Sequence, residues 1–218
     1  MDFPDLKRLV QQGEHLQLEF KRKANHPDKI AREIVAFANT SGGQLLVGVD
    51  DDKQIYGSKT ALEDAYELEQ YLLRYCYPHL AVQMTRVPVN GSREVLVITV
   101  PESRIKPHFV RTLNGARSRT AYVRVADMSI TASREMVALL RHGRNEKGVR
   151  LIVGEPEKIL LQQFERQERM TLEEVRALLG LPKRRTSLLM ILLVRAGLVR
   201  IQATEKGDFY SLMAEAFE

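Results

Sequence analysis

The side chains best suited to chemistry fall in two short stretches, Glu14, Glu19 and Lys21, then Asp50 and Asp51. Leu16, Leu18 and Phe20 alternate with Gln17, Glu19 and Lys21, the period-two signature of a half-buried strand. Glu19 and Lys21 therefore share a face, with Glu14 at the strand's entry. The acidic turn Asp50-Asp51-Asp52-Lys53 ends a second strand, Leu45 to Val49. If the strands are neighbours, three carboxylates converge: Glu14, Glu19 and Asp50 or Asp51. Such a group suits Mg²⁺ or Mn²⁺, which prefer oxygen ligands and activate water for phosphodiester hydrolysis, and Lys21 would stabilise charge developing on phosphate. On spacing alone the plainer reading is preferred, an acidic turn beside a surface Glu–Lys pair worth ~0 to 1 kcal/mol.

Two basic stretches follow. The net charge of +5 is uneven, since residues 101–150 hold 11 Lys+Arg against 4 Asp+Glu, while residues 1–100 hold 12 against 14 and residues 151–218 hold 10 against 10. Arg104, Lys106, His108, Arg111, Arg117, Arg119 and Arg124, interleaved with Asn114, Gly115, Ser118 and Thr120, read as a loop that contacts phosphates. A solvated loop or an anchor for an acidic partner is the alternative. Lys183, Arg184 and Arg185 open a helix, a position that enters the DNA major groove in a helix-turn-helix unit. The run Leu188 to Val194 after them is apolar without interruption, which implies burial on all sides and favours a partner subunit as strongly as a groove.

Other chemistries find no support. Thr40-Ser41-Gly42-Gly43 lacks the GxxxxGK[ST] pattern and follows a helix, so it is not a phosphate loop. The histidines show no pair at metal-ligand spacing, and no nucleophilic triad can be assembled. The single cysteine, Cys76, excludes an internal disulfide and sits among Leu72, Leu73, Tyr75 and Tyr77, as a buried inert thiol would.

The elements that must position these residues are those of an α+β domain with a mixed sheet, followed by a smaller helical one. Helices are expected over 4–12, 28–38 and 62–75, with the strands already named, a hairpin partner near Ile55 and Tyr56, and strands 82–87 and 95–100 joined by Asn90-Gly91. A strand over 121–125 and a helix over 133–141 are expected to close a first domain, 1–143, with a linker over 144–156. Within 157–218, a helix to Glu168, a Thr171–Glu174 capping box opening the helix 172–179, the turn Gly180-Leu181-Pro182, a helix to Ala196 and a hairpin of 198–201 with 209–212 spell a winged helix.

Composition sets the class: 44% hydrophobic and 28% charged residues over 218 positions are those of a folded, water-exposed protein. No apolar run spans a bilayer and the first residues lack the layout of a signal peptide, so a cytoplasmic protein without a membrane partner is expected.

Glu14, Glu19-Phe20-Lys21, the block Ala36-Phe37-Ala38-Asn39-Thr40-Ser41-Gly42-Gly43, Leu45-Leu46, Gly48-Val49-Asp50-Asp51, Gly57, Lys106-Pro107-His108 and Tyr122-Val123-Arg124 together resemble the Schlafen AlbA-like domain, over roughly residues 3 to 142. The resemblance implies a DNA-binding domain that, in bacterial members, often carries a C-terminal helix-turn-helix and belongs to transcriptional regulators. Animal Schlafen relatives imply a different use, a metal-dependent carboxylate triad that cleaves transfer and ribosomal RNA. Glu14 and Glu19 match its Glu-x4-Glu pair, and Asp50 or Asp51 its third member. Those nucleases pair two related lobes in one chain, whereas this chain has one, so a homodimer would rebuild the cleft. Three functions are thus carried forward: a dimeric DNA-binding regulator first, a Mg²⁺- or Mn²⁺-dependent endoribonuclease acting on structured RNA second, and a dimeric protein-interaction adaptor third.

Overall fold

Asp2 begins the first helix by accepting a hydrogen bond from the Asp5 amide at 2.8 Å. The computed structural model describes residues 1–111, 119–142, 151 and 153–213. It divides into two units, Met1–Thr131 and Ala132–Glu218.

In the first unit, α1 (Phe3–Gln11), β1 (Leu18–Lys21), α2 (Pro27–Asn39), β2 (Gly43–Val47) and α3 (Ala61–Tyr75) are followed by β3 (Cys76–Tyr77), β4 (Gln83–Asn90) and β5 (Arg93–Val100). Four short strands complete it: β6 (Phe109–Arg111), β7 (Arg119–Thr120), β8 (Tyr122–Val125) and β9 (Met128–Thr131). The main sheet has the order β1-β2-β5-β4. β1 runs parallel to β2 because α2 returns the chain, and the remaining pairs are antiparallel. This is the mixed sheet the alternating pattern implies.

Alternation along each strand sorts the core into two layers. Leu18 and Phe20 of β1, Leu46 of β2 and Val95 and Val97 of β5 pack with Leu6 and Val10 of α1. Leu45, Val47, Leu96, Ile98 and Val100 face the other way and pack with Ile30, Ile34 and Phe37 of α2 and Leu68 and Leu72 of α3. Close approach fixes one glycine in this arrangement: a Cβ on Gly43 would collide with the Phe37 ring and lie 2.8 Å from the Gln17 carbonyl oxygen. Cys76 is buried as expected, and burial pushes its thiol up to about 12.

The second unit contains α4 (Arg134–His142), α5 (Glu155–Arg166), β10 (Met170–Thr171), α6 (Leu172–Leu179), α7 (Lys183–Arg195), β11 (Val199–Gln202) and β12 (Phe209–Leu212). Thr171 and Glu174 form the anticipated capping box at the start of α6, with the Thr171 amide donating to Glu174 at 2.7 Å. Leu160, Phe164, Val175, Met190, Leu193 and Tyr210 make its core, under a sheet ordered β10-β12-β11.

The helix expected over 133–141 is α4, and the division into two units falls before Ala132, which groups α4 with the second unit. The stretch 143–150, which holds the first half of the expected linker over 144–156, lies outside the described residues. Within the single chain α7 is not buried on all sides: Leu188 is 53% exposed and Leu192 38%, because only one side of this helix meets the chain's own core.

Candidate nucleic-acid interface

β1 is the edge strand of the main sheet, so those of its amides that point away from β2 need partners. Glu14 supplies one, accepting a hydrogen bond from the Phe20 amide at 2.8 Å. Its carboxyl is held above the usual range by burial, opposed by that amide bond and reinforced by the nearby charges of Glu19 and Asp51.

Glu19 and Lys21 point to the α2 side of the sheet and are joined by an ion pair. Glu19 is buried there, and a buried carboxylate requires a compensating charge. Arg124 of β8 provides it. Its guanidinium lies 2.9 Å from Glu19 and 2.8 Å from Glu33 of α2, donates to the carbonyl of His15 at 2.9 Å, and stacks 4.7 Å over the Phe37 ring. Ser129 of β9 bonds the same Glu33 carboxylate. The Arg124 side chain is 0% exposed, so it is a structural cation between two carboxylates and not the phosphate contact expected of it.

His108 is likewise removed from the surface. Its ring nitrogens lie 2.9 Å from the Pro78 carbonyl oxygen and 2.7 Å from the Ser103 hydroxyl, and its amide donates to Asn39 at 2.7 Å. Burial, the largest influence, holds its pKa below the usual 6.5, against the bond to Pro78. Asn39, fully buried at the end of α2, donates to the carbonyls of His108 at 3.0 Å and Tyr122 at 2.9 Å. Thr40 accepts from the Arg124 amide at 2.9 Å, and Lys106 donates to the Thr40 carbonyl at 2.8 Å while pairing with Glu102 at 2.7 Å. The Asn39-Thr40 block, Lys106 to His108 and Arg124 are therefore one polar network that ties α2 to the later strands.

The acidic group does not assemble as a metal site. Glu14, Glu19 and Asp50 are each engaged: Glu14 by the Phe20 amide, Glu19 by Lys21 and Arg124, and Asp50 by Arg22 at 3.0 Å. Among the described residues no group of three or more His, Cys, Asp and Glu side chains is placed to hold a metal ion. As placed, Glu14, Glu19 and Asp50 or Asp51 therefore do not form a ready-made site for Mg²⁺ or Mn²⁺.

Three groups of cations among the described residues are candidates for contact with an anion. Arg111 and Arg119 face each other across the β6–β7 pair, both exposed, with Arg119 stacked 4.6 Å over Tyr77. Directly opposed like charges weaken a strand pair, which makes this an unfavourable arrangement unless an anion bridges it. Arg104 is exposed nearby in sequence, and Arg117 lies outside the described residues. Lys183, Arg184 and Arg185 are exposed on the first turn of α7, Lys183 3.4 Å from Glu173. A third group was not anticipated from the sequence: Arg22, Lys23, Lys59 and Arg93 line one cleft. Each is unremarkable in its own stretch, and only the fold brings them together.

A family model described as Schlafen, AlbA_2 matches residues 14–133, more than half of the chain, and the chain belongs to that family. Membership suggests a nucleic-acid-binding role. Among solved structures, the N-terminal domain of a RecG-related protein from Nitrosomonas europaea is 23% identical with a TM-score of 0.44, the match covering 59% of this chain and 91% of that one. The DIP2311 protein from Corynebacterium diphtheriae is 19% identical with a TM-score of 0.45, over 88% of this chain and 34% of that one. No helix among the described residues is long and apolar enough to cross a membrane.

Proposed function

We propose that the protein is a DNA-binding transcriptional regulator whose second unit is a winged helix, with α6 and α7 as the helix-turn-helix and β11–β12 as the wing. One observation carries this reading: Lys183, Arg184 and Arg185 are exposed together on the first turn of α7, the part of such a helix that meets the major groove. The order α5, α6, α7, then an antiparallel hairpin, supports it. So does the family of the first unit, where Arg104, Arg111 and Arg119 supply further exposed charge for phosphates. The exposed Leu188 and Leu192, one turn apart farther along α7, support a homodimer in which the start of the helix meets DNA and its middle meets a second copy. The engagement of Glu14, Glu19 and Asp50 supports a binder over a metal-dependent endoribonuclease.

The test is the affinity of the full chain for duplex DNA, compared with the variant K183Q/R184Q/R185Q. The variant should bind markedly less well while keeping its helix content. Absence of DNA binding by the unaltered protein would favour the protein-interaction adaptor.

A further inference from the structure

In the first unit a polar cleft of about 500 Å³ opens between the turn that leaves β1 and the loop that leads into α3. Arg22 and Lys23 come from the turn, Tyr56 and Lys59 from the loop, and Arg93 from the start of β5. The ion pairs among the described residues include none to Lys23, Lys59 or Arg93. Asp64, the acid in the lining, is taken up by the hydroxyls of Ser58 at 2.8 Å and Thr60 at 3.2 Å. Like charges gathered in a concavity raise its potential and repel one another, and an anion resting between them relieves both effects.

The walls of this cleft are built to stay in place. Arg22 stacks 4.4 Å over the Tyr56 ring and pairs with Asp50 at 3.0 Å, which fixes its guanidinium. Arg93 reaches back to the carbonyls of Tyr56 and Gly57, at 3.4 and 3.3 Å. The amides of Tyr56 and Gly57 both donate to the Gly48 carbonyl at 2.9 Å. A Cβ on Gly48 would lie 2.9 Å from the Gly57 Cα, so only glycine lets the loop lie this close to the end of β2. Thr60, the residue that begins the 15-residue helix α3, lines the same space, with the positive end of the helix offset by the first-turn acids Glu63 and Asp64.

We infer that this cleft is a phosphate-binding site, with Arg22, Lys23 and Lys59 as the charged contacts and Arg93 as a positioning residue that holds the loop. The phosphate is that of a nucleic-acid strand or of a small free phosphate ester, and the chemistry of recognition is shared. The inference concerns the first unit and stands apart from the DNA reading of α7.

The experiment records amide chemical shifts of the full chain at low salt during titration with a short unstructured oligonucleotide and, separately, with pyrophosphate. Amides of Lys23, Ser58 and Lys59 should move with saturation. In the K23Q/K59Q variant, which alters exposed side chains only, binding should weaken severalfold. For the strand, the log–log salt slope should fall by about 1.4, at ~0.7 for each phosphate no longer neutralised. Saturation by the oligonucleotide alone assigns the strand as the source, and equal saturation by pyrophosphate assigns a free phosphate; either result supports the site. Unmoved amides with both probes, or unchanged affinity in K23Q/K59Q, would overturn it. The R184Q/R185Q variant should retain the cleft shifts whatever becomes of its duplex binding, so the two readings fail separately.

Discussion

Arg124→Met removes the cation at the centre of the buried network while keeping much of the side chain's volume. Two carboxylates then lose their partner, Glu19 with 8% of its side chain exposed and Glu33 with 17%, and the carbonyl of His15 loses a donor. Breaking a buried pair from one side costs ~3–5 kcal/mol, because the charge left behind cannot recover its hydration. Lys21 remains beside Glu19 and Ser129 beside Glu33, which places the expected cost near the lower bound, about 3 kcal/mol. Native-state hydrogen exchange of the Leu45 and Leu46 amides in β2 reads this in the first unit without reference to the second. Their protection should fall by a factor of about 100, at 1.36 kcal/mol per tenfold. The double variant E19Q/R124M should cost at least ~1 kcal/mol less than the two single changes added, since the pair is already broken by either. A destabilisation below about 1 kcal/mol, with weakened nucleic-acid binding instead, would refute the structural role and return Arg124 to the phosphate-binding surface.

Further outcomes follow from the titrating groups. A carboxyl whose folded pKa is raised stabilises the fold below its unfolded value, 4.5 for Glu14, and loses that contribution as pH rises through the folded value. Glu14→Gln keeps an acceptor for the Phe20 amide and removes the charge, so thermal melts should show it more stable than the unaltered protein at neutral pH and equal to it below about pH 4. Lower stability at neutral pH would contradict the burial argument. His108 has the opposite linkage: its folded pKa is depressed by burial, so the unfolded chain binds more protons as pH falls below 6.5 and stability declines there. Urea midpoints between about pH 5 and 7 should slope less in H108Q than in the unaltered chain; parallel slopes would show that the ring is not held neutral by the fold.

What the sequence disclosed followed from local periodicity. Alternation around Leu18 and Phe20 placed Glu19 and Lys21 on one face, and the capping pair Thr171 and Glu174 announced α6, because both signals depend only on near neighbours. Arg124 and His108 were misjudged for the converse reason. Charge and polarity suggest the surface, and nothing near Arg124 in the chain reveals Glu19 or Glu33, which are 105 and 91 positions away. The cleft was hidden in the same way, its cations coming from positions 22, 23, 59 and 93. Leu188 and Leu192 show the limit of a uniform apolar run, which carries no periodicity to say which side faces the core.

Duplex DNA binding measured across salt concentration, in EDTA, addresses the central claim. The unaltered chain should bind without added metal, with an affinity that falls steeply as salt rises. K183Q/R184Q/R185Q should bind more weakly, with a log–log slope shallower by about 2.7, at ~0.9 for each phosphate no longer neutralised. Binding that disappears in EDTA, or a variant whose affinity and slope match those of the unaltered chain, would contradict it.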